Sequence, residues 1–204
     1  MPPDFLAVGH IVRDRVSGGW QPGGSVYYAA AQAQRLGRDV AVVTSCAGDL
    51  DPATVLPGID WSVRPAASTT TFENTYRDGR REQRVLAQAD RLTLADVPAA
   101  WRDAPVRLVC PVIEDFDPAL VAELHTEATL TGVTPQGWLR RLEGERVVTT
   151  PTPAAPDWLA ADAVVLSKDD ITTDTPPETW LAEVPGLVMT RGADGCSVWQ
   201  REGS

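Results

Sequence analysis

Two short apolar runs flank a helix-like stretch near the N-terminus, and this order constrains the fold more than any other feature of the sequence. Residues 5–9 (Phe-Leu-Ala-Val-Gly) and 40–45 (Val-Ala-Val-Val-Thr-Ser) are typical of strands covered on both faces. Between them, residues 22–37 predict a helix that follows a glycine pair, has Ser25 as its N-cap and ends at Gly37. A strand, a helix and a second strand in this order predict a βαβ unit with a parallel strand pair.

The glycine pair at the start of this helix is the first candidate for a binding site. Gly23 and Gly24 lack a Cβ, so another molecule can approach their backbone closely. The free N–H groups and the positive dipole end of the following helix suit hydroxyl or phosphate oxygens. A capped helix after a tight turn, without any ligand, accounts for the same residues and stays open as the alternative.

Two aspartates are expected at the carboxyl edge of the sheet. Residues 10–14 continue the first strand with alternating polar positions, which places Asp14 where that strand ends. Asp49 follows the second strand in an Ala-Gly-Asp segment. Ligands bind at this edge of open α/β sheets, and a carboxylate there can accept hydrogen bonds from ligand hydroxyls. The alternative for Asp14 is a solvated loop residue that pairs with Arg13 or Arg15.

The stretch from residue 68 to residue 89 predicts a hairpin with polar faces. Its β-prone first half is followed by an Asp78-Gly79 turn and by a returning strand. Because a polar two-stranded ribbon is not stable alone in water, it is expected either to flank the main sheet or to cover a site as a lid. Residues 13–20 are a candidate for a further strand of this ribbon.

The rest of the chain continues the alternation of strands and helices. Further strands are predicted at residues 106–112, 129–134, 162–166 and 187–190, and the last is followed by a glycine turn and a returning strand. Short helices are predicted at residues 118–125 and 176–181, and the alternation is expected to continue past residues 135–141. No Gly-x-x-x-x-Gly-Lys-Ser/Thr or Gly-x-Gly-x-x-Gly segment occurs, so the common nucleotide-binding motifs give no support.

Charge and composition limit the partners of the chain. A formal net charge of −10 and a sequence pI of about 4.6 argue against a surface for nucleic acid or for an anionic membrane. The sequence shows no membrane span and no signal peptide, so a cytoplasmic protein is expected. Cys46, Cys110 and Cys196 are odd in number and lie in or beside apolar runs, which predicts buried free thiols. His10 and His125 are too far apart for a metal or catalytic cluster, and structural roles are expected for both.

Several segments together resemble one enzyme family. They are Gly23-Gly24 before a helix, Gly48-Asp49 after the next strand, the polar ribbon, the strand end at residues 167–170 and the Thr-Arg-Gly-Ala-Asp-Gly segment at residues 190–195. In this order they resemble the ribokinase-like sugar kinases, the PfkB carbohydrate kinase family, over residues 5–204. The resemblance implies one α/β domain over residues 1–204, a three-layer sandwich with a mainly parallel sheet that lacks its C-terminal part. It also implies a small β lid with strands around residues 11–22 and 68–89.

The resemblance assigns roles to individual residues. Asp14 matches the family's aspartate that binds sugar hydroxyls, and the glycine pair matches backbone that packs against the sugar. Tyr28 replaces a sugar-binding asparagine, which favours a different ring or polyol. The implied set is Asp14, Gly23, Gly24, Tyr28 and Asp49 for the substrate, Ser167, Thr190, Gly192 and Gly195 for the nucleotide, and Asp170 for Mg²⁺. A plain β-turn is the alternative for residues 190–195.

One segment of the family pattern does not occur in this sequence. Family members carry Gly-Ala-Gly-Asp, whose amides form an anion hole and whose aspartate acts as the base. The base is therefore expected beyond Ser204, no catalytic residue is assigned, and the 204-residue chain alone is expected to be inactive.

The predicted function is ATP- and Mg²⁺-dependent phosphorylation of a hydroxyl on a small sugar, polyol or nucleoside, with a homodimer through the lid as a further expectation. One alternative is a non-catalytic sugar- or nucleotide-binding protein on the same fold. An unrelated nucleotide-binding α/β domain is the other, and it would have the polar ribbon in the main sheet.

Overall fold

The computed structural model describes residues 1–77 and 80–201, and fourteen strands and four α-helices lie in that part of the chain. The strands are β1 (Phe5–Val8), β2 (Val12–Val16), β3 (Gly19–Gly23), β4 (Val40–Cys46), β5 (Asp60–Pro65), β6 (Thr71–Arg77), β7 (Arg80–Ala87), β8 (Val106–Val109), β9 (Leu130–Val133), β10 (Arg140–Glu143), β11 (Arg146–Thr149), β12 (Ala163–Ser167), β13 (Gly186–Thr190) and β14 (Cys196–Gln200). The helices are α1 (Ser25–Arg35), α2 (Pro52–Val55), α3 (Leu120–Leu124) and α4 (Glu178–Glu183).

Eight of these strands form the main sheet, in the order β14-β13-β12-β9-β8-β1-β4-β5. Every neighbouring pair is parallel except β13 and β14, which are antiparallel. The predicted α/β class with a mainly parallel sheet is therefore confirmed. No helix among the described residues is long and apolar enough to cross a membrane.

Both faces of the main sheet are covered, which is why its central strands are continuous apolar runs. On one face, Val26 and Ala30 of α1 pack in one cluster with Ala7 of β1. On the other face, Leu6 of the same strand belongs to a larger core that contains α3 and the buried Trp180 of α4. The sandwich thus has helices, sheet and helices as its three layers.

A second sheet of six strands, in the order β10-β11-β7-β6-β2-β3, lies beyond the carboxyl ends of β1 and β8. Its inner face packs Val12, Phe72 and Val85 against Val112 and Ile113, which follow β8. This sheet contains the ribbon segments that the sequence predicts as lid strands, and it adds the hairpin of β10 and β11. Because the polar ribbon pairs in this separate sheet, the unrelated nucleotide-binding domain loses its support. The predicted Asp78-Gly79 turn lies outside the described residues.

The chain crosses from the main sheet to the second sheet at His10. The first strand ends at Val8, so the expected continuation of that strand to Asp14 is wrong, and Asp14 lies inside β2. The His10 ring is fully buried; its Nδ1 lies 3.0 Å from Thr70 Oγ1 and its Nε2 lies 3.0 Å from the carbonyl oxygen of Asp90. These two contacts hold the crossing segment in place and allow the strand to break.

The hydrogen bonds around His10 define its protonation. Thr70 Oγ1 accepts a hydrogen bond from the Ala89 N–H, so its own hydroxyl proton is free to reach His10 Nδ1. The neutral ring then donates from Nε2 to the Asp90 carbonyl oxygen. Burial lowers the pKa of His10 and outweighs the opposing charge of Asp115, whose Oδ2 lies 4.0 Å from Nδ1, so the net shift agrees with a neutral imidazole. His10 therefore has the structural role that the sequence predicts.

Some local predictions are wrong. The N-cap of α1 is Gly24, whereas the sequence predicts Ser25. Ser25 is the first helical residue, and no side chain caps this end of the helix. The expected alternation of strands and helices is interrupted at residues 135–141, because a 3₁₀ turn (Pro135–Trp138) leads directly into the hairpin of β10 and β11. Cys46 and Cys110 are buried as predicted, whereas Cys196 is exposed because it lies on β14, the outermost strand of the main sheet.

Candidate functional site

Two adjacent cavities lie between the main sheet and the second sheet. The first cavity has a volume of about 310 Å³ and lies between the start of α1 and the inner face of the second sheet. The second cavity has a volume of about 390 Å³ and lies between β7, β10 and the turn that follows β12. Both cavities are lined by four polar side chains: Arg81, Gln83, Gln136 and Arg140. The first cavity adds the polar side chains of Asp14, Gln21, Ser25, Tyr28 and Asn74. The second cavity adds those of Thr149, Asp169 and Asp170.

A row of side-chain hydrogen bonds connects the two cavities. Arg140 Nη1 donates to Gln83 Oε1 at 2.8 Å, and Gln83 Nε2 donates to Asn74 Oδ1 at 2.9 Å. Asn74 Nδ2 in turn donates to Asp14 Oδ1 at 3.3 Å. We call these four residues the Asp14–Arg140 network. The strand register accounts for their common face, since Asn74 and Gln83 are directly opposite each other on β6 and β7.

The Asp14 carboxylate is half-buried at the first cavity, and Oδ2 accepts no hydrogen bond from any residue that the structure describes. Burial raises the pKa of Asp14, while the hydrogen bond from Asn74 and the charges of Arg81 and Arg140 oppose this rise. The alternative of a solvated aspartate paired with a neighbouring arginine is not supported. Arg13 pairs with Asp49, and Arg15 lies 3.9 Å from Glu73 on the opposite face of the second sheet.

Gly24 lines the first cavity and Gly23 lies behind its Asp14 carboxylate, and the two glycines are needed for different physical reasons. A Cβ on Gly23 would overlap Oδ2 of Asp14, so this glycine makes room for the carboxylate. Gly24 has φ 90°, which side chains rarely adopt, and a Cβ there would lie 2.5 Å from the His10 carbonyl oxygen. The glycine pair thus allows β3, the β1–β2 crossing and the start of α1 to approach each other.

The other two predicted substrate residues are placed differently. Tyr28 lines the first cavity and is exposed, with its ring in edge contact with Tyr27 at a centroid distance of 5.1 Å. Asp49 lines neither cavity; its Oδ2 accepts a hydrogen bond from Arg13 Nη1 at 2.6 Å. That hydrogen bond holds the pKa of the Asp49 carboxyl below its ordinary value. The structure therefore brings Asp14, Gly24 and Tyr28 together and leaves Asp49 outside.

The predicted nucleotide residues lie at the carboxyl ends of β12 and β13. Ser167 and Thr190 are direct neighbours in the parallel register of these strands. Gly192 and Gly195 have φ 58° and 86° in the tight turn that leads into β14, and both are exposed. All four residues share one edge of the sheet, but none of them lines either of the two cavities.

Asp170 lies at the second cavity, beside Asp169. Its Oδ2 accepts a hydrogen bond from the Ser167 N–H at 2.7 Å and its Oδ1 accepts one from Gln136 Nε2 at 2.9 Å. No group of three or more His, Cys, Asp or Glu side chains that could hold a metal occurs within residues 1–77 and 80–201. These two carboxylates fit a Mg²⁺ ion that takes its other ligands from phosphates and water, and they do not form a metal site on their own.

Sequence reasoning missed the residues that join the two cavities. Asn74 and Gln83 lie in the predicted polar ribbon, two residues from apolar Phe72 and Val85 and therefore on the same face of each strand, and this spacing was the available signal for their place on the inner face. Arg81 belongs to the same ribbon. Arg140 carried no such signal, because its neighbours Leu139 and Arg141 do not mark a strand.

Together, the parallel main sheet, the helices on its two faces and the second sheet beyond its carboxyl edge define the ribokinase-like kinase fold, and comparison with solved structures confirms this prediction. A pyrophosphate-dependent kinase in the ribokinase family, complexed with a pyrophosphate analogue and myo-inositol, has a TM-score of 0.81 and 22% identity, over 98% of this chain and 76% of that chain.

Two other solved structures with this fold are less similar. Ribokinase from Arabidopsis thaliana, complexed with ribose and ATP, has a TM-score of 0.66 and 16% identity over 100% of this chain and 77% of that chain. A fructokinase variant from Vibrio cholerae O395, bound to fructose, ADP and potassium ion, has a TM-score of 0.67 and 17% identity over 96% of this chain and 73% of that chain. No family model and no curated protein matches the chain. At these identities the similarity establishes the fold and not the activity.

Proposed function

We propose that this protein is a carbohydrate kinase, which transfers a phosphoryl group to a hydroxyl of a small sugar or polyol. The observation that carries the proposal is the half-buried Asp14 carboxylate at the first cavity, whose Oδ2 is free to accept a hydrogen bond from a ligand hydroxyl. The fold supports it, because solved structures with this fold are kinases complexed with myo-inositol, ribose or fructose.

The lining of the first cavity favours an acceptor with many hydroxyl groups. Asp14 offers a carboxylate, and Gln21, Asn74, Gln83 and Gln136 offer amides that can both donate and accept hydrogen bonds. A nucleoside would also need an apolar or stacking face for its base, and the exposed Tyr28 ring is the candidate for that face. The polar lining alone can bind a polyol or sugar, whereas a nucleoside would depend on that one exposed ring, so polyols and sugars match this cavity better.

ATP is the first candidate donor, with Ser167, Thr190, Gly192 and Gly195 proposed to hold the nucleotide and Asp170 to contact Mg²⁺. Inorganic diphosphate is a second candidate. Two structures of pyrophosphate-dependent kinases have TM-scores of 0.81 and 0.82 with this chain, whereas the ATP-bound ribokinase and the ADP-bound fructokinase have 0.66 and 0.67.

In the proposed reaction, the acceptor hydroxyl oxygen forms a bond to the terminal phosphorus of the donor. The phosphoanhydride P–O bond breaks, and its electron pair leaves with ADP or with orthophosphate. The hydroxyl proton passes to a base that none of the described residues is assigned to supply. Asp14 and the backbone at Gly23 and Gly24 orient the acceptor in this scheme.

Ligand binding to the 204-residue chain is the decisive experiment, because its sequence contains no Gly-Ala-Gly-Asp segment. A calorimetric screen of sugars, inositols and nucleosides should identify a polyhydroxylated ligand, and Asp14→Ala should remove its binding. Glu145→Gln is the matched control, since Glu145 pairs with Arg84 and lines neither cavity. If no compound of these classes binds, the proposal is wrong.

Phosphorylation assays with ATP and with inorganic diphosphate complete the test. A phosphorylated product with either donor supports the kinase. The 204-residue chain alone is expected to be inactive, so only a chain that also carries the Gly-Ala-Gly-Asp segment separates the two proposals. A ligand that binds through Asp14 and that such a chain phosphorylates with neither donor would favour the non-catalytic binding protein on the same fold.

A further inference from the structure

Arg140 is a buried cation without an acidic partner. Its side chain is 8% exposed, and no carboxylate in the described part of the chain lies within ion-pair distance of its guanidinium. The guanidinium instead donates from Nε to the Val112 carbonyl oxygen at 2.6 Å, from Nη2 to the same oxygen, and from Nη1 to Gln83. Each terminal nitrogen keeps a further N–H, so Arg140 can donate to another acceptor.

Arg81 adds a second positive charge to the same place. It lies on β7, is exposed and lines both cavities together with Arg140. Burial and the charge of Arg81 lower the pKa of Arg140, while the charges of Asp170, Asp115 and Asp14 oppose this, so the two cations are close enough to repel each other. Arg140 makes no contact ion pair with these carboxylates, so its burial and the repulsion from Arg81 still destabilise this arrangement, and an anion bound between the two guanidinium groups would relieve both.

The opposite wall of the second cavity carries Asp169 and Asp170. Both oxygens of Asp170 already accept hydrogen bonds, from the Ser167 N–H and from Gln136. These carboxylates repel an anion, so a bound anion must lie against the arginine wall. The cavity thus has one positive and one negative wall, which suits a phosphate group whose far side is neutralised by a divalent cation.

We propose that the second cavity binds the diphosphate end of a phosphoanhydride donor, with Arg81 and Arg140 contacting its oxygen atoms. Arginine suits this role because its planar guanidinium binds phosphate through paired N–H donors. Since both arginines also line the first cavity, the terminal phosphoryl group lies next to the acceptor held at Asp14. The inference rests on the proposed function for the identity of the anion.

Inorganic diphosphate and ATP both carry the diphosphate group that the two arginines would bind. Residues outside the two cavities would distinguish them. Thr190 and the glycine turn that follows it line neither cavity, so diphosphate has no contact with them. ATP held by the same arginines would need further contacts for its nucleoside, and this turn is their proposed place.

The test is calorimetric titration of the 204-residue chain with inorganic diphosphate and, separately, with ATP, each in the presence of Mg²⁺. Arg81→Gln should weaken the binding of diphosphate at least about ten-fold, because it removes a charge-assisted hydrogen bond. Arg84→Gln is the matched control: Arg84 lies on the same strand, but it faces away and pairs with Glu73 and Glu145. Its diphosphate affinity should equal that of the wild type. Thr190→Ala should weaken only ATP.

Arg140→Lys is the second variant, with circular dichroism to check that it folds. If it unfolds, Arg81→Gln, at an exposed position, still decides the outcome. The inference is overturned if diphosphate does not bind, or if Arg81→Gln and Arg84→Gln bind it equally well. Its failure is distinct from failure of the proposed function, which is judged by polyol binding and by phosphorylated product.

Discussion

Gly23→Ala tests the acceptor site by adding one methyl group next to its central carboxylate. Gly23 has an ordinary strand backbone, so alanine can adopt its conformation, but the new Cβ would overlap Asp14 Oδ2. The carboxylate is the end of a side chain and can rotate away, whereas the backbone of β3 is held by its pairing with β2. The expected result is therefore a displaced Asp14 in a folded protein.

The size of the effect follows from the hydrogen bonds that Asp14 loses. A charge-assisted hydrogen bond to a ligand hydroxyl contributes about 1.5 to 3 kcal/mol, which corresponds to a rise of roughly 10- to 150-fold in the dissociation constant. The free energy of unfolding should change by less than about 1 kcal/mol, because alanine also reduces the conformational entropy of the unfolded chain. Gly24→Ala differs, since its φ of 90° strains alanine by about 1 to 3 kcal/mol and its Cβ meets a backbone oxygen.

Isothermal calorimetry with myo-inositol as the probe, combined with urea unfolding, separates these effects. Gly19→Ala is the matched control, because it lies on the same strand and its Cβ would meet no atom within 4 Å. Wild-type affinity in Gly23→Ala, or a loss of stability as large as that of Gly24→Ala, would refute the reasoning.

Three further predictions concern charge. Burial raises the pKa of Asp14 above its ordinary 3.8, so myo-inositol affinity should be constant near neutral pH and fall as the pH drops through the raised pKa; a profile that persists in Asp14→Asn would contradict this. Burial lowers the pKa of His10 below its ordinary 6.5, so the unfolded chain binds this proton more tightly. The free energy of unfolding, measured with urea, should therefore be constant above about pH 6.5 and decrease as the pH falls towards the folded pKa, and His10→Gln should flatten this slope. Chelation of Mg²⁺ by EDTA should weaken diphosphate binding in the wild type and have less effect in Asp170→Asn, and an equal effect in both would count against the Asp170 assignment.

The main sheet could be predicted from the sequence because its strands are buried on both faces. In a chain that alternates strands with helices, a continuous apolar run such as that of β4 indicates a buried strand directly. The hairpin of β10 and β11 was not predicted, because its charged residues, the buried Arg140 and the exposed Arg141, Glu143 and Arg146, show no apolar alternation. The antiparallel pairing of these two strands is visible only once the chain is folded.

The candidate site was predictable only where a single residue carries the signal. Asp14 and the glycine pair stand out in the sequence, and the structure places Asp14 and Gly24 at the first cavity and Gly23 against the Asp14 carboxylate. Arg140 reaches Asp14 through side chains on β6 and β7, and no local pattern encodes a contact across such distances along the chain. Asp49 also stands out in the sequence, because it follows a strand at the edge where ligands bind. In the structure it pairs with Arg13 on the surface and does not line the site.

The Asp14–Arg140 network has a fixed direction, because every bond in it runs from a donor on the arginine side to an acceptor on the aspartate side. Each amide in the middle must accept with its oxygen and donate with its nitrogen, and no single replacement by a carboxylate, hydroxyl or apolar group preserves both at the same reach. Residues 74 and 83 are therefore not independent positions during evolution. Related sequences that keep Asp14 and Arg140 should therefore change residues 74 and 83 together or keep both. Covariation between positions 74 and 83 would identify proteins that have the same network.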